Sequence, residues 1–221
     1  MTSFWRIRGD IPRPLYLTLI CLSLVLPLVA WTAAANSGLV DTLFLPKPTD
    51  VVIRFWSLLT EGELLGDIRD SVGRVGGGFF LAAFLGVPIG LLIGTFKSME
   101  GLLGPFFALA RYMPAAAFIP LVILWLGLDE PAKIAIIFIG TFFYNALMVA
   151  DSVKFIPKEL LSVSYTLGAS RWDVLVRVIL PYTLPNIIDT LRINIAASWN
   201  FVIVAELIAA SSGLGYRILK A

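Results

Sequence analysis

Apolar and polar stretches alternate along this chain on the length scale of a lipid bilayer. Residues 1–14 carry Arg6, Arg8 and Arg13 and end in Pro14. Leu15 to Ala35 then runs without a charge, long enough to cross about 30 Å of hydrocarbon. It exceeds the core of a secretory signal and reads as a retained first span. Residues 36–71 are polar, with Asp41, Asp50, Glu61, Glu63, Asp67 and Asp70 against Lys47, Arg54 and Arg69. They are expected outside the cell. Inside that segment Val52, Phe55, Trp56 and Leu59 recur at helical spacing after Pro48-Thr49-Asp50, which predicts a helix lying along the membrane interface.

Val72 to Ile93 is the second predicted span. Its Gly78, Ala82, Gly86, Gly90 and Gly94 keep small residues on one stripe, so another helix can approach closely. Lys97 to Glu100 reads as a polar turn. Leu102 to Leu128 is a third apolar segment, broken by Pro105, Pro114 and Pro120 and carrying Arg111; Asp129-Glu130-Pro131 closes it. The fourth span is Ala132 to Ala150, with Asn145. Residues 151–185 form a polar loop with Lys154, Lys158, Arg171 and Arg177, expected in the cytoplasm by the positive-inside tendency. Ile187 to Ala210 is the fifth span, entered through Asp189 and Arg192 and holding Ser198, Asn200 and Glu206. With the N-terminus inside, five spans leave Ala221 outside. The expected organisation is a cytoplasmic N-terminus (1–14), a first transmembrane helix (15–35), an external loop with its interfacial helix (36–71), and a core (72–221) containing the cytoplasmic loop 151–185.

Composition agrees with this pattern and removes several chemistries. Of 221 residues, 58% are hydrophobic and 14% charged, against roughly 25% charged in soluble domains, and the mean hydropathy is +0.89. There is no histidine and one cysteine, Cys21, so most zinc and haem sites, His-based acid–base work and Cys–His catalysis are removed, and no disulfide can form within the chain. The net charge of +2 gives no basis for nucleic-acid binding. No Gly-x4-Gly-Lys-Ser/Thr phosphate loop occurs, so the chain holds no ATP of its own. No catalytic, cofactor or metal residues are assigned. A membrane enzyme would need a convergent set of ionisable groups, and the spans offer only Arg111 and Glu206, with Asp189 and Arg192 near an edge.

The loop 151–185 carries the most information. Pro157 suits a helix start, Leu160, Leu161, Ser164 and Leu167 share a face, and Gly168 suits a helix stop. Ser170 and Asp173 have capping-box spacing, and Val174, Leu175, Val178 and Ile179 form the apolar face of a second short helix that Pro181 is expected to end. Two amphipathic helices outside the membrane, joined by a glycine, make a docking element for a partner.

Gly168-Ala169-Ser170-Arg171, with nine residues between Gly168 and Val178 and then Ile179-Leu180-Pro181, resembles the E-A-A-x3-G-x9-I-x-L-P loop of permease subunits of ATP-binding-cassette importers. Ser162-Val163-Ser164 stands at the triplet and Val178 at the isoleucine. Leu43 to Pro48, Phe118 to Gly127, Val204 to Ala210 and Gly213-Leu214-Gly215 are similar to the nitrate, sulfonate, taurine and bicarbonate branch of these permeases. The resemblance implies an all-α membrane protein: a type I importer bundle of five helices in this chain, with a sixth usual in the family. It implies a transport permease rather than an enzyme, in a bacterial inner membrane. It implies two ATPase subunits binding ATP and Mg, a second permease subunit, and an extracytoplasmic substrate-binding protein. ATPase contacts would fall at Leu167, Gly168, Ala169, Ser170, Arg171, Trp172 and Pro181. Glu159, three residues ahead of the triplet, is the candidate for the motif's glutamate. The implied cargo is a small anion or zwitterion; relatives that carry vitamin precursors or aromatic compounds look similar, and a non-transporting scaffold would leave the loop unexplained.

Polar groups within spans are costly and face a cavity or a partner. Arg111, Asn145, Ser198, Asn200 and Glu206 are therefore the candidates for the translocation path, with structural hydrogen bonds or snorkelling as the alternative for each. Trp125 and Trp199 could shape the channel or simply pack.

Overall fold

The computed structural model describes residues 9–220, and within them the chain is helical with no strand. Arg6 and Arg8, expected on the inner flank, lie outside the described residues. The described chain divides into two compact units, with the boundary between Glu63 and Leu64.

In the first unit, helix α1 (Arg13–Asn36) starts at a proline-rich turn, contains Pro27, and leaves its apolar side chains almost entirely exposed. Its polar groups are spent on its own backbone: the Thr18 hydroxyl donates to Pro14 O (2.8 Å) and Thr32 to Leu28 O (2.8 Å). A helix so greasy all round matches hydrocarbon on every side. Helix α2 (Pro48–Thr60) places proline in its first turn, where the missing N–H costs nothing, and Asp50 beside the positive end of the helix dipole. Trp31 Nε1 donates to Pro46 O (3.0 Å) and fixes the approach to α2.

The second unit is a bundle of α3 (Glu63–Thr95), α4 (Lys97–Ala110), α5 (Ile119–Leu126), α6 (Glu130–Lys154) and α9 (Leu180–Ala209), with the short helices α7 (Lys158–Thr166), α8 (Arg171–Asp173) and α10 (Leu214–Lys220). Among the described residues four helices are long and apolar enough to cross a membrane, and the bent pair α4 and 115–126 makes a fifth candidate. α3 lies against α6 along the small-residue stripe. A Cβ on Gly78 would stand 2.6 Å from that of Ile137, one on Gly86 3.1 Å from Asn145 Cβ, and one on Gly94 2.6 Å from Ala150 O. Backbones this close exclude any side chain, so glycine sets the interhelical distance. α6 meets α9 through Gly140, whose missing side chain is replaced by the Phe201 ring, and through Val202 and Ala205, both fully buried.

Three expectations differ from the structure. Lys97 to Glu100 is not a turn: it is the first turn of α4, where Lys97 Nζ bonds Glu100 Oε2 at 2.6 Å and the acid favours the helix start. The second span begins at Glu63, well ahead of Val72, because the polar residues 67–74 find partners inside the bundle. The third segment breaks only near Pro114, where the two helices meet at 89°; Pro105 sits inside α4, and Pro120 lies in the opening turn of α5, where it is tolerated.

We expect Gly90→Val to lower stability by about 3 kcal/mol or more, because its side chain would meet Val149 and the Ala146 backbone. Gly101→Ala, with open space around it in α4, should shift stability by about 1 kcal/mol at most, in the stabilising direction. Thermal unfolding in detergent followed by circular dichroism compares the two; equal shifts would remove the glycine stripe as the determinant of packing.

Candidate functional site

At one end of the second unit the chain leaves α6, forms α7, turns at Gly168 and enters α8. Helix α7 ends in a complete Schellman motif. Gly168, at φ +84°, donates from its N–H to Tyr165 O (2.9 Å), and Ala169 N–H donates to Ser164 O (3.1 Å). Glycine is favoured there because the left-handed conformation penalises a Cβ. Ser170 then caps α8 reciprocally with Asp173: the Asp173 N–H donates to Ser170 Oγ (3.1 Å) and the Ser170 N–H to Asp173 Oδ2 (3.2 Å).

Pro181 does not end the second helix. Residues 174–179 widen into a π-helical turn, and Leu180 N–H reaches back to Leu175 O, five residues away. The wider turn makes room for the ring of Pro181 in the opening turn of α9, so one continuous rod runs from Arg171 to Ile208.

The loop has two faces. Val174, Ile179, Ile156 and Val153 are buried together, with Leu91, Leu161, Ala169, Leu175 and Val178 packed round them, and this seats the loop on α3 and α6. On the other face Leu167 is 81% exposed and Trp172 70%. Glu159, Gly168, Ser170, Arg171 and Pro181 are also exposed, and Ala169 is half-buried at the seat. The coupling candidates are therefore all exposed except Ala169, which lies at the seat.

The five path candidates are not brought together. Asn145 is fully buried and its Oδ1 accepts from Asn194 Nδ2 at 2.7 Å. Ser198 is fully buried and bonds the Asn194 carbonyl at 2.9 Å. Both hold α6 to α9 or serve the helix's own backbone rather than face an open space. Glu206 is enclosed in the ion-pair cluster at the far end. Only Arg111 and Asn200 reach a surface. Arg111 follows the last residue of α4, with its guanidinium 5.0 Å from the Tyr112 ring, and lines a cleft of about 360 Å³ with Glu100, Asp151 and Lys154. Asn200 is exposed on α9. Trp125 is 70% exposed and Trp199 packs against the Val75, Ile137 and Val202 cluster.

The far-end cluster went unread in the sequence. The Arg74 side chain is 3% exposed. Its Nε and Nη2 engage Glu130 at 2.6 and 2.7 Å, and its Nη1 engages Glu206 Oε1 (2.7 Å) and Ser212 O (2.8 Å). Glu206 also accepts from Ser71 Oγ (2.7 Å) and Gly215 N–H (2.7 Å). Asp67 accepts from Gly213 N–H (2.7 Å) and pairs with Arg217, Ser71 Oγ accepts from Leu214 N–H (2.9 Å), and Lys133 bonds Glu130 at 2.8 Å. Three successive N–H groups at the start of α10 thus end on side chains from α3 and α9. The signal was present: Asp67, Asp70, Ser71 and Arg74 fall on one helix face at three- and four-residue spacing, across the boundary between the charged stretch 36–71, which reads as external loop, and the predicted second span.

Gly213→Ala should destabilise the subunit, since at φ +113° its Cβ would lie 2.5 Å from both Arg74 Nη1 and Glu206 Cδ. Glu206→Ala should cost about 3–5 kcal/mol by leaving a buried guanidinium short of a carboxylate. Asn200→Ala, exposed, should be neutral to within about 0.5 kcal/mol. The ranking is read from melting temperatures in one detergent, and a neutral Glu206→Ala would contradict the burial of the pair.

The profile of the family described as binding-protein-dependent transport system inner membrane component matches residues 86–221. A probable ABC transporter permease protein of Brucella melitensis is 38% identical over 90% of this chain and 80% of its own length. The putative aliphatic sulfonates transport permease protein of Bacillus subtilis is 37% identical over 90% and 73%, and the taurine transport system permease protein of Escherichia coli 32% identical over 98% and 80%. Among solved structures, an inward-facing conformation of the MetNI methionine ABC transporter shares the fold, with a TM-score of 0.65 at 19% identity over 73% of this chain and 81% of that one. The chain belongs to the binding-protein-dependent inner-membrane component family: it is a multi-pass permease subunit of an ABC importer, and the ATPase that drives it is a separate polypeptide.

Proposed function

We propose that this permease passes a small anion or zwitterion of the sulfonate or taurine class through a path shared with a second copy of itself, driven by two ATPase subunits seated on the loop around Gly168. The observation that carries the reading is the exposed pair Leu167 and Trp172 on a loop whose opposite face is buried. Apolar side chains held out by a Schellman turn and a capping box are pre-organised to enter a partner's cleft, so little ordering entropy is lost on docking. Glu159 and Arg171, both exposed, flank that surface and supply charge at its rim.

Cargo class follows from the named relatives and from chemistry near the path. Asn200 stands 13 residues past Ile187, about 20 Å into the fifth span at 1.5 Å per residue, and an amide exposed at such depth is poorly matched to lipid and well matched to a second copy or a wet channel. The cleft at Arg111 offers a guanidinium and Lys154 beside Glu100 and Asp151, both signs of charge within one wall, which suits a zwitterion. A binding protein outside the bacterial inner membrane would deliver the cargo.

Trp172→Ala combined with Leu167→Asp should abolish co-purification of the ATPase while the subunit still inserts and keeps its helicity. Retained ATPase on that variant would overturn the docking surface. A cysteine in place of Ser170, with Cys21→Ser, should react with an impermeant thiol reagent only from the cytoplasm, and one in place of Glu63 only from outside; reversed labelling would invert the orientation and remove the ATPase from the loop.

A further inference from the structure

We propose that Arg74 is a positioning residue for transport. By joining the far ends of α3, α6, α9 and α10 into one body, it makes that end move when the loop end is pushed. The inference rests on the loop being the site where the ATPase acts.

The argument is mechanical. At the loop end, Val153 and Ile156 share one apolar cluster with Val174 and Ile179, so a displacement of the loop is delivered to α6 and α9 together. Along the middle, Gly78, Gly86 and Gly94 hold α3 on α6 at backbone contact, and Phe201 over Gly140 holds α9 on α6. Packed interiors transmit such displacements instead of absorbing them. α6 is about 37 Å long at 1.5 Å per residue; towards the far end Val75, Ile137 and Val202 pack α3, α6 and α9 into one apolar cluster that includes no residue of α10, and all four elements meet beside it. What joins them there is charge: Arg74 on α3, Glu130 on α6, Glu206 on α9, and the Ser212 carbonyl ahead of α10. The planar guanidinium fork holds three partners in fixed directions, which a lysine could not do. The Ser212 hydroxyl, bonded to Asp70 Oδ2 at 2.6 Å, closes the same ring from the other side. Without Arg74, Glu206 would lose its cation and Glu130 would keep Lys133 alone, water would enter, and the ends beyond the Val75, Ile137 and Val202 cluster could splay while the loop end stayed packed.

The test uses the complex of this chain with its ATPase in liposomes, in a Cys21→Ser background. A spin label goes on each copy at Leu128→Cys, an exposed position at the far end, and label-to-label distance is measured with and without ATP, Mg and vanadate. The parent complex should show a nucleotide-driven shift. Arg74→Gln should keep the ATPase rate and lose the shift. Restoring it by bridging cysteines placed at Asp70 and Ser212 with a short bifunctional thiol reagent, and losing it again on reduction, would identify the joint itself as the cause. A full shift in Arg74→Gln would overturn the proposal. So would loss of the shift on bridging 70 and 212 in the presence of Arg74, because the far end would then have to open. Ser212→Ala, which breaks no ion pair, should give a partial loss and covers failure of Arg74→Gln to fold. Hydrogen exchange in the isolated subunit is an independent check. α10 and residues 64–74 should exchange faster in Arg74→Gln; unchanged exchange there refutes the joint, whereas a parent complex with no ATPase bound refutes the docking surface instead.

Discussion

A full positive charge sits where almost no water reaches, and the second unit is built to satisfy it. The Arg74 side chain is 3% exposed and Glu206 is 1% exposed. Desolvating both costs more than their attraction returns unless every donor and acceptor finds a partner. Here each does: Nε, Nη1 and Nη2 of the arginine and both oxygens of Glu206 are occupied, one of them by a backbone N–H of the C-terminal segment. The position of α10, the extension of α3 down to Glu63, and the left-handed Gly213 are all conditions for closing that ring.

The opposite end obeys a different constraint. There the loop carries little charge pairing and is held by apolar burial beneath and by backbone caps at its turns. The difference suits the two tasks. A saturated polar cluster tolerates little rearrangement, while an apolar seat under a pre-ordered turn presents a greasy ridge without fixing what lands on it.

Between the ends, glycine does what side chains cannot. In a bundle surrounded by hydrocarbon the hydrophobic effect does not press helices together, so close backbone approach and dispersion must. The stripe on α3 and Gly140 on α6 supply that approach at successive levels, which keeps the distance between the charged end and the apolar end constant.

Much of this was legible in the sequence alone. The number of candidate spans, the small-residue stripe, the stop at Gly168 and the Ser170–Asp173 cap follow from local rules whose periods and partners lie within a few residues. The permease family was legible because its loop motif is itself local. What only the tertiary structure decided depends on residues far apart in the chain. Glu206 and Asn145 read as path residues because a polar group in a span must face something, and the sequence cannot say whether that is water or Arg74, whether a channel or Asn194. Pro181 read as a helix end because a proline removes a hydrogen bond, whereas the preceding π-helical turn carries the rod past it. Residues 67–71 read as external loop because their charge was counted without the partners that neutralise it, more than 130 residues away for Ser71 and Glu206. Local propensity fixes where helices form; only packing decides which buried charge has an answer.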